Sequence, residues 1–557
     1  MLKRILALIA ALMLLSTFLL GCAGSQKPSS TESTTESTTN NTAPKKESSS
    51  NFNKTGYPIV NEKITLHFAS NKGGEEISYD DPKYIWQEIE KVTNIHIEWN
   101  NIPQASWNEK KNLMLATGDL PDAFLGGNGG ALTSADLITY GPQGVLLDLT
   151  DLIQEYCPNI RKMFEQNVKT RIVSTSPDGK IYSLPFVQEL GSNLVYNRHY
   201  INRVWLEKLG LDIPETTDEF VEVLRKFKTE DPNGNGLADE IPLSFIHNNH
   251  NYGCYGFFTP FGSLDCASHV SVRDGKVIFE PITEGYKQAV KWLASMYKEG
   301  LIDPEVFTHD INQYRAKGQT DTMVYGVFSG WVTTWGPYTV GTIEDGQNCD
   351  YVTLPPLKGP DGTQMWQSRS PAIWGGLFAV TSANKYVPET MRWIDLCYDP
   401  EWSFELQYGP VGYMLEKDEI GIYSFIETED PAQMPVRGKY APGLPPSYIS
   451  AEFFETRVKF STAMQKDYDQ YYTYAPYIAE NYMPDVTYTQ EETEENATLT
   501  ADIIPYIVST QAKWIAGEGD IDAEWDAYVE AVKKMGLDKL IENYQAAYDR
   551  YMELAKK

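Results

Sequence analysis

Asp231-Pro232-Asn233-Gly234-Asn235-Gly236-Leu237-Ala238-Asp239-Glu240 is the stretch of this 557-residue chain whose residue types and spacing imply chemistry most directly. Oxygen-bearing side chains stand at loop positions 1, 3, 5 and 9 with glycine at 6, the ligand spacing of an EF-hand calcium loop. A tight turn at Gly236 aims alternate side chains at one point. A hard cation there would collect oxygens from Asp231, Asn233, Asn235, the carbonyl of Leu237, and the acids Asp239 and Glu240. Position 12 is Pro242 and Ile241 to Ile246 reads as a strand, so this is an EF-like loop and not a helix–loop–helix pair. A calcium held there would be structural, because no coordination position is left open for a substrate. The competing reading is a polar turn without metal.

Other chemistry leaves little trace. The chain has no HExxH, GxSxG or GxxxxGK[ST] pattern, and its seven histidines are scattered. Besides Cys22 there are Cys157, Cys254, Cys266, Cys349 and Cys397, with no CxxC or Cys/His spacing, which argues against zinc and thiol redox chemistry. Cys254 and Cys266 could pair around an aromatic loop; five scattered buried thiols fit as well. The competing enzyme class is a surface glycoside hydrolase working through paired carboxylates, for which the chain has acids in number.

The elements that must position the loop alternate between strand and helix. Ile64 to Phe68, Ile95 to Trp99 and Pro121 to Leu125 read as strands; Tyr84 to Val92 and Asn108 to Thr117 read as helices. This βαβαβ rhythm predicts an α/β fold with a mostly parallel sheet flanked by helices. In such sheets ligands bind beyond the carboxyl ends of the strands, where Asn71 to Gly74 and Gly126 to Gly130 form glycine-rich loops. Thr216-x-x-Glu219 is a capping box opening a helix with Phe220, Val223, Leu224 and Phe227 on its buried stripe. Helical spacing recurs at Tyr286 to Tyr297 and Val387 to Cys397. A long helical region, Leu499 to Lys557, closes the chain, with Trp514, Trp525 and Tyr528 as packing anchors.

The amino terminus sets the compartment. Lys3 and Arg4 precede an apolar run from Ile5 to Leu20, shorter than the roughly 20 residues a spanning helix needs, so residues 1–21 read as a signal peptide. Leu19-Leu20-Gly21-Cys22 is similar to a bacterial lipobox, which implies cleavage before Cys22 and its modification by a diacylglycerol. The membrane is then met through a lipid anchor only. The Ser/Thr-rich stretch that follows cannot bury enough apolar surface to fold, so residues 22–56 form a tether. The rest exceeds one hydrophobic core and needs at least two domains. A formal charge of −29 repels phosphates and argues against nucleic acid and anionic lipid as partners.

Several segments together resemble the family 1 extracellular solute-binding lipoproteins of Gram-positive ABC importers. They are Asn112 to Asp122 (NLMLATGDLPD), Ile181 to Pro185 (IYSLP), Trp205 to Leu211 (WLEKLGL), and Pro214 to Phe220 (PETTDEF) running into the calcium-like loop. Alginate-binding members look similar at that loop and bind calcium through it. The resemblance implies a class II periplasmic-binding-protein-like fold with two α/β lobes joined by hinge strands. The expected first lobe is 57–187 plus about 369–440, and the second 188–368 plus about 441–557. It also implies a ligand in the interlobe cleft, hinge closure without chemistry, delivery to ABC permease subunits, and a monomer on the extracellular face of the membrane.

A sugar presents apolar ring faces and polar edges, and so needs aromatic platforms with fixed hydrogen-bonding groups. The chain has 13 Trp and 35 Tyr, which permits an oligosaccharide ligand. Trp86, Trp99, Trp205, Trp292, Trp393, Trp514 and Trp525 lie in regular patterns and are core. Rings in irregular segments remain as ligand contacts: Trp107, with Asn71 and Asn128, on one lobe; Tyr252, Tyr255, Trp331 and Trp335 on the other; and Trp374 near the hinge, with Trp366 a further possibility. Ser329-Gly330-Trp331-Val332-Thr333-Thr334-Trp335 is similar to the Gly-Pro-Trp segment of maltose-binding proteins, but lacks its proline. The alternatives are a ligand-sensing or peptide-binding surface lipoprotein, and last a carbohydrate-active enzyme.

Overall fold

A computed structural model describes residues 51–556 apart from 73–82, 128, 129, 196, 321, 332–350, 369–371, 428–436, 480 and 481. Cys22, Asn128 and Trp335, the expected signal peptide 1–21 and the expected tether as far as residue 50 lie outside the described residues. Residues 51–56, expected as the end of that tether, are folded onto the first lobe, with Phe52 against its core and the Asn53 N–H donating to the Ile59 carbonyl at 2.8 Å.

The first lobe is built on a six-stranded sheet. Its strands are β1 (Ile64–Lys72), β2 (Ile95–Pro103), β3 (Ala123–Leu125), β4 (Leu184–Gln188), β11 (Ala372–Val380) and β14 (Ser447–Ile449), in the order β14-β4-β11-β3-β1-β2. β2 shows why these residues form strands: Ile95 and Ile97 point into the core while His96 and Glu98 face solvent. The helix Tyr84–Thr93 buries Ile85, Trp86 and Ile89 and stops at Asn94, which takes φ 61° and returns its N–H to the Glu90 carbonyl. Its Trp86 stacks on Trp393 at 5.7 Å, and Phe68 meets Trp393 edge-on at 5.2 Å.

The second lobe carries β5 (Arg198–Asn202), β6 (Ile241–Ser244), β9 (Tyr325–Gly330) and β10 (Tyr351–Thr353), in the order β10-β5-β9-β6. A hairpin of β7 (Val270–Arg273) and β8 (Lys276–Phe279) lies beside it. The capping box between Thr216 and Glu219 is formed, and Phe220, Val223, Leu224 and Phe227 are buried. The closing helical region resolves into Gln490–Ile515, Ile521–Lys534 and Leu537–Ala555, whose Ile503, Ile507, Trp514, Tyr528 and Leu540 complete this lobe's core.

The first sheet is mostly parallel, in its β1–β2, β1–β3 and β14–β4 pairs, whereas the second departs from that expectation. β11 runs antiparallel to β3 and β4, and in the second sheet only β6–β9, among the described strands, is parallel. The reason is the crossings: β5 enters the second lobe from β4, and β11 returns from β10, so these strands cannot share the direction of simple βαβ units. A third crossing follows β12 (Leu415–Lys417), β13 (Tyr423–Phe425) and β15 (Val458–Lys459), a small sheet on the first lobe. Because β14 pairs with β4, the chain leaves the first lobe after Lys459, later than the boundary near residue 440 expected from sequence.

Candidate functional site

Between the lobes lies a cleft of 710 Å³. Its first-lobe wall starts at β11. The pairing of β11 with β4 shifts register between Trp374 and Phe378, and Gly375-Gly376 takes up the irregularity. Gly376 has φ 71°, and a Cβ there would stand 2.1 Å from the Leu132 carbonyl oxygen, so no other residue fits. The bend leaves Trp374 39% exposed on the cleft, its ring 5.1 Å from that of Phe186 beneath it. A large ring exposed on a rigid strand is a platform for an apolar ligand face.

Around it, Thr133, Ser134, Ser176 and Ser183 of the first lobe face Ser268, Thr487, Tyr488 and Tyr544 across the cleft. Burial, with Tyr544 adding to it, pushes the Tyr488 phenol up, so it stays a proton donor. Among the described lining residues one is charged, Asp485. The helix Ser134–Tyr140 is fixed by a capping box between Thr133 and Asp136, and Asp136 also pairs with the buried Lys111. Such a wall can cover a sugar ring and hydrogen-bond its hydroxyls.

The sequence candidates fare unevenly. Asn71 is 1% exposed and fully engaged: its amide donates to the Gly130 carbonyl at 2.8 Å and to Gln104 at 3.1 Å, and its oxygen accepts from the Gly127 N–H. It fastens the glycine-rich loop that walls the cleft instead of facing it. Trp107 belongs to the helix Gln104–Thr117, is 3% exposed, and donates its indole N–H to the Ala131 carbonyl at 2.9 Å. The helix starts four residues earlier than its spacing predicts, which turns an apparent loop tryptophan into a core one. Tyr252 and Tyr255 are buried; Arg315 donates to the Tyr252 hydroxyl at 3.2 Å, and Tyr255 donates to Asn248 at 3.0 Å. Trp366 is buried against His199 and Tyr474 in the hinge. Trp331 is half-buried just past the end of β9. Cys254 and Cys266 are free thiols.

The Asp231 loop folds as its residue types dictate. The Asp231 carboxylate accepts the N–H groups of Gly234 and Gly236, at 2.9 and 3.1 Å, and Gly234 and Gly236 take φ 77° and 76°. Asn233 and Asn235 each donate to Asp239. Glu240 Oε1 is buried without a hydrogen-bond partner, and burial, then Asp239 and Asp231, hold that carboxyl above its usual range. An all-oxygen donor set with crowded acids and one orphaned carboxylate oxygen fits a hard cation. Among the described residues, no group of three or more His, Cys, Asp or Glu side chains stands arranged as a metal site.

Sequence reasoning missed Phe186, the hydroxyl wall and the hinge helix Thr462–Tyr474. Only the helix left a signal, the density of tyrosines at 468, 471, 472 and 474.

Residues 74–403 match the bacterial extracellular solute-binding proteins, and the chain belongs to that family. Its two-lobed architecture is the family's. The chain is 36% identical over 513 residues to the fructooligosaccharide ABC transporter substrate-binding protein FusA of Streptococcus pneumoniae, covering 88% of this chain and 91% of FusA. The structure of FusA in complex with kestose superimposes with a TM-score of 0.77 at 34% identity, over 89% of this chain and all of the other. An EF-hand mutant of FusA in complex with fructo-nystose gives 0.76 at 34% identity over the same shares. These relatives are transport binding proteins, not enzymes.

Proposed function

We propose that this chain is the substrate-binding component of an ABC importer, capturing a neutral oligosaccharide of the fructooligosaccharide class between its lobes and passing it unchanged to permease subunits. The observation that carries this reading is the likeness to FusA along nearly the whole chain. The exposed Trp374 and its hydroxyl wall, with one charged lining side chain, supply matching chemistry. The Asp231 loop holds a structural calcium through Asp231, Asn233, Asn235, the Leu237 carbonyl, Asp239 and Glu240. Cys22 carries the lipid that keeps the monomeric body at the extracellular face of the membrane. Of the sequence candidates, Trp374 and Trp331 remain as ligand contacts; Trp335 and Asn128 stay expectations of the sequence. The test is a thermal-shift series with kestose, fructo-nystose, uronate oligomers and peptides, followed by chromatography of the incubated sugar. Stabilisation by the fructans, recovered intact, is expected; stabilisation by peptides alone, or hydrolysed sugar, would contradict the proposal.

A further inference from the structure

A second cavity, of 740 Å³, shares no lining residue with the Trp374 cleft. It opens where the chain leaves β4 at Glu189 and Leu190, against the start of the third crossing, Lys459 to Tyr472. The helix Thr462–Tyr474 has two faces. On one, Asp467 pairs with Arg198, Gln470 accepts from the Tyr200 hydroxyl at 3.2 Å, and the Tyr474 hydroxyl accepts the His199 N–H and donates to the Leu354 carbonyl, each at 3.0 Å. Those contacts hold the helix rigidly on the hinge. On the other face Gln465, Tyr468 and Tyr472 line the cavity at helical spacing.

Three rings make one wall. Phe460 meets Tyr468 at 5.3 Å, and Tyr468 meets Tyr472 edge-on at 5.2 Å, while Tyr472 stays 55% exposed. The Tyr468 phenol is pushed up to about 12 by its hydrogen bond with Tyr472 and by burial, and so stays protonated. Two lysines and two glutamates lie in the lining, Lys459 and Lys466 against Glu189 and Glu455, so the cavity carries no net charge with which to select an ion. An exposed Tyr472 backed by the half-buried rings of Tyr468 and Phe460, beside amide and hydroxyl groups and without net charge, is the recognition chemistry of a neutral polyhydroxylated ligand.

We infer that the Phe460–Tyr468–Tyr472 cavity is a second carbohydrate-binding site, separate from the Trp374 cleft. The inference rests on the reading of the chain as a carbohydrate-capturing protein. Titration calorimetry of the full body with fructo-nystose tests it, using wild type, Trp374→Ala, Tyr472→Ala and Gln465→Ala. Two binding events are expected. Tyr472→Ala should weaken one of them tenfold or more and leave the other unchanged, Gln465→Ala should weaken the same event, and Trp374→Ala should weaken the opposite one. Tyr472 is exposed enough that its loss should not unfold the helix, and a melting curve checks this. A single event untouched by Tyr472→Ala would overturn the second site and leave the transport reading standing. A single event lost in both aromatic variants would merge the two cavities and overturn it equally. No sugar bound by wild type would overturn both readings.

Discussion

Arg198, wholly buried on β5, points its guanidinium at the carboxylate of Asp467 on the helix Thr462–Tyr474, tying the first crossing segment to the third. Its second amino group donates to the Ser192 carbonyl at 2.7 Å, inside the first crossing. Removing the carboxylate leaves a buried cation uncompensated. Asp467→Asn should therefore cost on the order of 3 kcal/mol in urea unfolding. Because the Asp467 side chain keeps 26% of its surface exposed, the loss falls at the low end of such cases. Arg198→Met combined with Asp467→Leu should recover most of that stability. An unchanged midpoint for Asp467→Asn would contradict this account of the hinge.

Asp395 gives a pH dependence with a definite sign. Burial, only partly offset by the N–H groups of Ile160 and Asn159, raises its carboxyl from 3.8 to about 7. Folding then favours the protonated form, so the stability from this group is complete below pH 3.8 and is lost as the pH rises to about 7. His199 and His247, lowered to about 3 and about 4 by burial, act in the opposite sense as the pH falls from 6.5. Comparing variants isolates the carboxyl. Asp395→Asn should melt above wild type at pH 7.5, with the gap closing towards pH 5; a constant gap would refute the shift.

Calcium at the Asp231 loop would bind only the folded protein and stabilise it by mass action, about 2.7 kcal/mol at a hundredfold excess over Kd. Chelation should lower the melting temperature of calcium-loaded protein, and Asp231→Ala should remove that response. Superimposable melting curves with and without chelator would count against the site.

The anchor is tested in cells. Wild type should partition into the detergent phase, whereas Cys22→Ala should leave an unprocessed or shed chain. Wild type found wholly in the aqueous phase would rule out lipidation.

Regular structure was largely legible in the sequence because it follows local periodicity. The alternation at Ile95 and Ile97, the capping box at Thr216 and the buried stripe through Phe220 and Phe227 needed no tertiary information. The direction of β11 and the pairing of β14 with β4 were not legible, since they depend on where the chain crosses between lobes. For the ligand contacts, irregular spacing was a poor guide to exposure. It marked Trp107 and Trp366, which are core, alongside Trp374, which faces the cleft. What separates them is the bulge at Gly375-Gly376, a feature of strand pairing that spacing along the chain does not encode.

The central claim, capture of a neutral oligosaccharide on Trp374, is tested most directly by calorimetric titration of kestose into wild type and Trp374→Ala. Loss of a stacking ring should cost roughly 1–3 kcal/mol, taking full burial of a large apolar side chain as the guide. That is about fivefold to 150-fold in affinity. Tight binding by wild type, weakened by that factor in a variant whose melting temperature is unchanged, is the expected result. Equal affinity in both proteins would remove Trp374 from the site, and no heat from wild type with any fructooligosaccharide would contradict the functional account.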